Sequence, residues 1–579
     1  MIGPSHPGAR GLKRVLLRIT RAAVLAVLAF AIPSVAARAQ DPAQASIVPA
    51  THTVYDWLQQ QRVFGRLPTY EAEELPMSRG TILAHLRTLQ RDSAKLSGTD
   101  RGLLADYLNE FDFKRLEANG LLGKRLIENF PNGVINALRT RRDPYLFAGA
   151  IADSSVYGAL WVRKGWGEGW STLASPSRYE YAFLYTRGAR AFVNSTSGLG
   201  FHAEIDMGTY ADGAWVYRLD QRLGVNETFL KDSTFPPSAY ETWVSYQRHN
   251  LFIAMGKGAA SIGPAVVDPL VVRVGAPSLG QLRLTVGPPK FHLTFMQAQI
   301  DGDTRTDTSV IDGKSVVRSS PVQRWLALTR ITWNPTPRLG LTLHQMTVYS
   351  QRGVDFEYLN PLLPALYGGL DNGSTDNGFV GLDVIARPFD GTELKYSALI
   401  DDAEGFNFKP LGNGWAKIAL MAGAEQRLPL DVRLGFSYTR VDAYVYTSHY
   451  PSDAWEVSGV PIGPALGPNA DEVAFRLTRW FPLRTRLMIG TRHIRQGLDP
   501  VDAHGNVTIV GGNIEDNVDT KGPFLVGSDL QTYRLDEFEL QTEPIRGFTL
   551  TARMQSIVVI SGTRVPGHHT WYLRWSYGF

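Results

Sequence analysis

Over most of its length the chain alternates hydrophobic and polar residues with a period of two, beginning near Val156. Successive side chains of a β-strand point to opposite faces, so such stretches predict strands with one apolar face. Segments of this kind number roughly 16–18, each near the length of a tilted membrane-spanning strand. The clearest lie at 393–400, 433–439, 472–478, 548–555 and 571–579.

The pattern predicts a mainly β fold, a large transmembrane antiparallel β-barrel of about 16–18 strands over residues 150–579. A closed barrel is the sheet that can cross a bilayer, because open strand edges cannot lie in lipid. Turn signals at 334–337, 388–391 and 426–429 separate neighbouring strands. Long polar segments at 301–320, 367–377, 446–470 and 499–529 are expected as outer loops.

The final strand has the strongest pattern, because one of its faces is almost wholly aromatic. In a membrane barrel that face meets lipid and the interfacial girdle; the alternative is an aromatic edge strand of a soluble β-sandwich. A strand that ends in Phe579 also resembles the assembly signal of Gram-negative outer-membrane barrels. We therefore expect the barrel-assembly machinery, outer-membrane lipid and lipopolysaccharide as partners. The residues of this face are Trp571, Leu573, Trp575, Tyr577 and Phe579.

The N-terminal residues are typical of a signal peptide. A basic segment precedes the apolar run Ala22–Ile32, which is too short to span a bilayer, and Ala37 and Ala39 supply the small residues before a cleavage site. We expect a signal peptide over residues 1–39, cleavage before Gln40 and export to the outer membrane of a Gram-negative-type bacterium. An uncleaved N-terminal anchor is the alternative.

Helical periodicity marks the residues between this segment and the strands, and predicts a helical periplasmic domain over residues 40–145. Ser78 and Ser97 are the expected caps of two of its helices. The apolar stripes of these helices are interpreted as core. The other predicted helical segments are Tyr55–Gly65 and Leu121–Phe130.

Composition narrows the classes of function. The chain has 59 basic and 55 acidic residues, but six of the basic ones lie in residues 1–39, which leaves 53 against 55 after cleavage. The basic character of the whole chain therefore does not indicate nucleic acid as a partner. Cysteine is absent, which excludes disulfides, Cys-based metal sites and thiol nucleophiles.

Arginines on the polar faces of the predicted strands are candidate ligand-binding residues. A guanidinium can bind a carboxylate or phosphate through two parallel hydrogen bonds, which favours an acidic polysaccharide or another anionic solute. The alternative is that they pair with Glu and Asp and fill the lumen. The candidates are Arg324, Arg330, Arg433, Arg476 and Arg553.

Aromatic residues near polar groups suit sugar recognition, because a ring stacks on a sugar face while carboxylates accept from hydroxyl groups. One candidate cluster contains Tyr446, Tyr450 and Trp455, and Asp401 and Asp402 are candidate carboxylates. A second cluster contains Trp161, Trp166 and Trp170. The alternative for both clusters is the interfacial girdle of the barrel.

The sequence predicts neither catalysis nor a cofactor. It has no metal-binding motif such as His-Glu-x-x-His, and its scattered Ser, His and acidic residues do not assemble a triad. We expect no catalytic residues and no metal site.

Four stretches, at 256–284, 358–364, 376–402 and 461–471, resemble in their order and spacing the capsule assembly Wzi family of outer-membrane proteins. The resemblance covers about residues 150–579 and implies a barrel with a periplasmic helical domain and no known catalytic centre. It also implies a lectin-like role, in which exported capsular or extracellular polysaccharide is bound and held or assembled at the cell surface.

Two hypotheses of function follow. The first is the polysaccharide-binding role that the resemblance implies. The second is a porin-like channel for anionic or sugar solutes, which would have the same strand pattern but a wet, continuous lumen.

Overall fold

A computed structural model gives the structure of residues 44–113, 115, 141, 147–151, 156–173, 178–210, 238–300, 304–311, 314–360, 376–403, 416–457, 459–516 and 524–578. The predicted signal peptide, the helix expected at Leu121–Phe130 and the terminal Phe579 lie outside these residues.

The described residues form a closed barrel of 18 antiparallel strands, which confirms the predicted fold and strand number. Strand β18 pairs with β1, with Trp571 opposite Trp170, and this pairing closes the barrel. Residues Phe147–Ile151 pair with the first residues of β1, on the same edge of β1 as β18, and are not counted as a separate strand. The strands are β1 Val156–Ser171, β2 Glu180–Ser195, β3 Leu199–Tyr210, β4 Ser238–Arg248, β5 Leu251–Gly258, β6 Leu279–Val286, β7 Phe291–Ile300, β8 Arg324–Thr336, β9 Leu339–Ser350, β10 Asn377–Ala386, β11 Thr392–Ala403, β12 Ala416–Leu428, β13 Val432–Val441, β14 Ala470–Phe481, β15 Thr485–Leu498, β16 Asp529–Ile545, β17 Phe548–Ser561 and β18 His568–Gly578.

The period of two decides which side chains face outward. On β18, Trp571, Leu573 and Trp575 are 47%, 44% and 39% exposed on the outer surface, whereas Tyr572 between them is buried in the lumen. On β11, Leu394 and Tyr396 face outward while Glu393 and Lys395 are buried inside. The apolar outer face and polar inner face are those of a membrane barrel.

Three helices precede the barrel: α1 Val54–Val63, α2 Arg79–Arg91 and α3 Gly98–Phe111. The predicted caps are confirmed, since the hydroxyl of Ser78 accepts from the Thr81 amide at 3.0 Å and that of Ser97 from the Asp100 amide at 3.1 Å. The helices share a buried core that includes Trp57. No helix among the described residues has the length and apolar character needed to cross a membrane.

These helices pack at the end of the barrel where the connections between strands are short. The amide of Gly391, in the β10–β11 turn, donates to the Val63 carbonyl at 3.0 Å, and Gln59 donates to Glu425 on the inner wall at 2.6 Å. Trp480 of β14 belongs to the helical core. The helical region therefore fills part of the lumen at this end.

Two segments between strands also fold into the lumen. Residues 259–278, which join β5 to β6, pair there with the helical region, Ser261 opposite Leu75 and Ile262 opposite Glu74. Residues 442–469, which join β13 to β14, reach the same place, where the Trp455 indole donates to the Val271 carbonyl at 3.0 Å. The region predicted as an outer loop at 446–470 is thus largely a buried filling of the barrel.

Short pairings complete the fold. Thr304–Ile311 and Lys314–Pro321 form a hairpin within the region expected as the loop 301–320. The remaining short strands are Ile47–Val48 with Met77–Ser78 and Glu456–Val457 with Val460–Pro461.

Candidate functional site

A cavity of about 670 Å³ remains in the lumen, and it is the candidate functional site. One side is formed by the helical region, from Pro49 to Glu73, and by residues 259–278. The opposite side is the inner wall of β11 to β18 together with β1 and β2. The volume lies within the range of about 300–1,000 Å³ that is typical of small-molecule sites.

The lining of the cavity has ten basic and six acidic side chains, and Glu204, Asp206 and Glu393, just outside the lining, pair with Arg163, Arg190 and Lys395. Cations in a partly desolvated space are costly unless an anion balances them. The basic residues are Arg163, Arg190, Lys395, Arg433, Arg476, Arg484, Arg486, Arg546, Arg553 and Arg574, and the acidic residues are Asp56, Glu73, Glu110, Glu425, Glu539 and Glu543.

Most of these charges are held by partners. Arg553 Nη2 lies 2.6 Å from Glu539 Oε2, and Arg486 binds the other oxygen of Glu539. Lys395 Nζ lies 2.6 Å from Glu425 Oε2. The pairs fix the side chains against the wall, so the geometry of the cavity is set before any ligand arrives.

Arg433 is neutralised by the helical region. Asp56 of α1 binds the Arg433 guanidinium, and the Trp480 indole donates to Asp56 at 3.1 Å. Burial raises the pKa of Asp56, but the nearby guanidinium groups of Arg433 and Arg486 outweigh burial and lower it to about 2. Asp56 is therefore charged at neutral pH, and its contact with Arg433 holds α1 against the barrel wall.

Arg476 of β14 differs from these paired residues. Its Nη1 donates to the Val266 carbonyl at 2.8 Å, and no carboxylate of the described residues forms an ion pair with it. A guanidinium has five N–H donors. The side chain is half-buried and is tied by this contact to the inward-folded segment 259–278.

Aromatic rings and hydroxyl groups line the same space. Trp161 and Tyr572 face the cavity, and Arg190 lies over the Trp161 ring at 6.0 Å. Thr51 and Thr53, at the N-terminal end of α1, also line it, so the positive end of the helix dipole adds to the field. Further hydroxyl groups come from Thr478, Thr549, Thr551 and Ser576.

Of the sequence-predicted arginines, the structure brings Arg433, Arg476 and Arg553 together at this cavity and places two elsewhere. Arg324 is fully buried 2.6 Å from Glu456, where it fixes the inward-folded segment 442–469. Arg330 is also buried, 3.2 Å from Glu74 and 3.0 Å from Asp383. Both arginines are therefore paired with acidic residues and hold the lumen filling against the wall. This is the alternative interpretation of the sequence, in which arginine pairs with Glu and Asp to fill the lumen.

The candidate aromatic cluster is divided by the structure. Tyr446 and Trp455 are buried in the lumen core, where the Tyr446 hydroxyl donates to the Leu270 carbonyl at 2.8 Å. Asp401 is buried as well, and accepts from the Tyr446 amide at 2.6 Å. Tyr450 is 41% exposed. The side chain of Asp402 lies outside those described.

The three tryptophans of the second candidate cluster lie on opposite faces of β1, because successive side chains of a strand alternate between its faces. Trp161 faces the cavity, whereas Trp166 and Trp170 lie on the outer face of β1, opposite Trp575 and Trp571 of β18. The outer pair belongs to the girdle of the barrel.

Several cavity residues were missed by sequence reasoning. Arg190 and Tyr572 lie at inward-facing positions of strands that the alternating pattern predicts, so the same pattern could have identified them as luminal residues. Arg484 and Arg546 lie at short turns, where parity gives no direction. Among the described residues, no group of three or more His, Asp or Glu side chains is placed to hold a metal ion.

Sequence comparison matches the chain to one family. A family model described as capsule assembly protein Wzi matches residues 238–536, just over half of the 579 residues. Among curated proteins, sequence comparison gives no match.

Comparison of structures finds similar barrels. Wzi of Escherichia coli, described as an outer-membrane protein involved in group 1 capsule assembly and as a carbohydrate-binding β-barrel, is 12% identical; the alignment covers 92% of this chain and 99% of Wzi, with a TM-score of 0.53. OccK8 (OprE) of Pseudomonas aeruginosa is 12% identical, with coverage of 73% and 98% and a TM-score of 0.40. OccAB4 of Acinetobacter baumannii is 11% identical, with coverage of 72% and 98% and a TM-score of 0.40. The first similarity supports the fold, and the other two support no inference.

Proposed function

Since the chain belongs to the capsule assembly protein Wzi family, we propose that it is an outer-membrane barrel that binds exported polysaccharide at the cell surface and helps to assemble or retain it there. The observation that carries this proposal is the family match over residues 238–536, which spans strands β4 to β16 of the closed barrel. The capsule assembly and carbohydrate binding described for Escherichia coli Wzi, whose fold is similar, support the same role.

The filled lumen favours this role over the porin-like alternative. A porin keeps a continuous water-filled path, whereas here the helical region and the segments 259–278 and 442–469 occupy the lumen. Their polar contacts to the wall are buried ion pairs and hydrogen bonds, such as the 2.7 Å contact between Arg62 and Glu393. Such a filling is suited to a protein that binds a ligand and does not conduct.

The orientation proposed here places the helical region and the short turns on the periplasmic side and the long connections outside the cell. The same proposal includes cleavage of residues 1–39, recognition of the C-terminal strand by the barrel-assembly machinery and contact of the apolar outer face with lipid and lipopolysaccharide. N-terminal sequencing of the protein purified from outer membranes tests the cleavage: a mature chain that begins at Gln40 is expected.

Deletion of the gene in its host tests the function. We expect polysaccharide to be released into the medium while its total amount is unchanged, because binding at the surface is lost and synthesis is not. The measurement is the uronic acid or hexose content of washed cells and of culture supernatant, with the deletion strain carrying the intact gene on a plasmid as the control. Unchanged retention on the deletion strain would contradict the proposal.

A further inference from the structure

We infer that Lys164 of β1 and Arg187 of β2 form a site on the outer wall of the barrel for the phosphate of an anionic phospholipid. The site lies in the leaflet at the short-turn end, which is the periplasmic leaflet in the orientation proposed above. The inference goes beyond the polysaccharide role. It rests on the proposed function only for the contact of the outer face with lipid, to which it adds a place and a headgroup.

The two cations point out of the barrel and lie directly opposite each other on neighbouring strands. Lys164 pairs with Arg187 in the register of β1 and β2, and both side chains are exposed. Arg163 and Arg190 of the same strands face the lumen, so the alternation of side chains directs Lys164 and Arg187 outward. Like charges directly opposite on one face of a sheet repel each other. The pair is therefore suited to an anion between the two side chains.

The acidic side chains of these strands do not supply that anion. Among the described residues, the outer face of β18, β1, β2 and β3 has one carboxylate, that of Glu168, which accepts from the Trp166 indole at 2.8 Å. Glu168 lies four residues, or about 13 Å, along β1 from the lysine. Glu204 and Asp206 of β3 lie on the inner face, where they bind Arg163. The outer pair thus has no ion-pair partner in the part of the chain that the structure describes.

The pair lies near the short-turn end of the wall, where lipid headgroups are expected. One line of register pairs begins at Phe548, directly after the β16–β17 turn, and passes through Tyr577 of β18 to the pair. Outer-membrane barrels have aromatic girdles at this level. Lysine and arginine near the end of a spanning segment extend their charged groups to the headgroups. The position therefore brings both cations within reach of lipid phosphates.

The outer face beyond the pair is apolar and is suited to an acyl chain. Trp166 lies two residues beyond the lysine, away from the short-turn end, and its ring stacks on that of Phe183 at 5.0 Å. Trp575 of β18 lies opposite Trp166 and is 39% exposed. A lipid whose phosphate binds the pair can therefore lie along this surface, whereas a free phosphate ion gains nothing from it.

The two side chains supply complementary contacts to one phosphate. A guanidinium can donate two parallel hydrogen bonds to a phosphate, and an ammonium adds a compact charge. The Arg187 guanidinium lies 5.8 Å from the centre of the Tyr185 ring, which keeps it against the wall. A zwitterionic headgroup would bring its own ammonium to the site. A headgroup with net negative charge is therefore favoured.

Native mass spectrometry of the full-length protein in a neutral detergent tests the inference. The probes are phosphatidylglycerol, phosphatidylcholine with the same acyl chains, and inorganic phosphate. We expect the first molecule of phosphatidylglycerol to bind at least about tenfold more tightly than phosphatidylcholine, and an excess of inorganic phosphate not to displace it. Equal affinity for the two lipids would overturn the inference. Displacement by inorganic phosphate would overturn it too, because the site would then be one for the free ion.

Variants with matched changes of charge assign the site. Lys164→Gln and Arg187→Gln each remove one cation, and loss of one charge-assisted contact is expected to weaken phosphatidylglycerol binding about tenfold. Arg479→Gln is the control, because Arg479 is an outward cation near another short turn and its register partners, Val432 and Leu487, are uncharged. The control should bind as the unmodified protein does. An equal loss in the control would overturn the assignment.

Reversal of one charge separates lipid binding from a structural role of the pair. In Lys164→Glu the new carboxylate would lie opposite Arg187, so repulsion across the strands would become attraction. We expect the midpoint of thermal unfolding in lipid-free detergent to rise and phosphatidylglycerol binding to be lost. Misfolding would lower the midpoint, so the opposite directions of the two readouts identify loss of the site. Unchanged phosphatidylglycerol binding or a lowered midpoint would overturn the inference.

Failure of this inference is distinguishable from failure of the proposed function. Pull-down of the host's purified surface polysaccharide by the intact protein in detergent reports the polysaccharide role alone. If the polysaccharide is bound while the two lipids bind equally, the lipid site is wrong and the polysaccharide role stands. If phosphatidylglycerol is preferred while the pull-down fails, the polysaccharide role is wrong and the lipid site stands.

Discussion

At the scale of the residue, buried ion pairs connect the helical region to the barrel wall. Arg62 of α1 lies 2.6 Å from Glu73 and 2.7 Å from Glu393 of β11, and all three side chains are nearly or fully buried. Removal of one member of such a group leaves uncompensated charge in a poorly solvated place, which is more costly than the pair is stabilising. Arg62 is therefore one of the residues that keep α1 docked, together with Asp56 and Gln59.

Arg62→Gln tests this contact. We expect the docking of the helical region to weaken by about 3 kcal/mol, because Glu73 would remain buried without its guanidinium partner, whereas Glu393 would keep Arg387 and Lys395. The measurement is the rate of chymotryptic cleavage within residues 44–113 at neutral pH, because chymotrypsin does not cut after arginine and neither substitution removes one of its sites. Arg91→Gln, at the exposed end of α2, is the control and should leave the rate unchanged.

Sequence reasoning reached some of these residues and missed their partners. The inward direction of Arg433 and Arg476 follows from strand parity alone. The partner of Arg433 does not, because Asp56 lies on a helix whose docking position depends on the whole tertiary structure. Trp455 was expected near the surface but lies in the lumen, where its indole donates to the Val271 carbonyl. The composition of a connection between strands does not indicate whether the connection folds outward or inward.

At the scale of the element, docking of α1 depends on carboxylates that stay ionised. The pKa of Asp56 is lowered to about 2, and that of Glu110 on α3 is also lowered: burial raises it, but Arg484, His52 and Arg546 outweigh burial. A carboxyl group whose pKa is lower in the folded state stabilises it above its ordinary pKa, and this contribution is lost as the pH falls through the lowered value. The helical region is therefore expected to stay docked in mild acid.

Asp56→Asn isolates one of these contributions. We expect the variant to unfold its helices at a lower temperature than the unmodified protein at pH 7, because the Arg433 contact loses its charge. The difference should shrink as the pH falls from about 3.8 towards 2, where Asp56 becomes protonated in both states. Circular dichroism at 222 nm measures the midpoint, and Asp92→Asn, in the exposed turn after α2, is the control. A difference that stays constant down to pH 2 would contradict the assignment of the shift to Asp56.

The closing strand can be tested as an element too. Leu573 lies on the outer face of β18 between Trp571 and Trp575, and is 44% exposed. Arginine on a lipid-facing position near the bilayer midplane costs about 2–4 kcal/mol. Leu573→Arg should therefore lower the urea midpoint of unfolding in lipid vesicles, whereas Leu573→Met should not. Equal midpoints for the two variants would mean that this face does not meet lipid.

At the scale of the whole molecule, the sequence predicted the barrel much better than its filling. Alternation repeats in every strand, and the outer face of β18 and the capped helices α2 and α3 were found where the pattern placed them. The inward course of residues 259–278 and 442–469 has no such periodic signal, because it is stabilised by long-range contacts such as Arg324 with Glu456. The candidate cavity is what these fillings leave, so it could not be placed before the structure was known.

Single-channel conductance of the full-length protein in planar bilayers tests the central claim most directly. Because the helical region and two inward-folded segments occupy the lumen, we predict that membranes containing inserted protein show no large, stable conductance steps at neutral pH. Regular steps of porin size would show an open path through the barrel, and would contradict the account of a filled lumen.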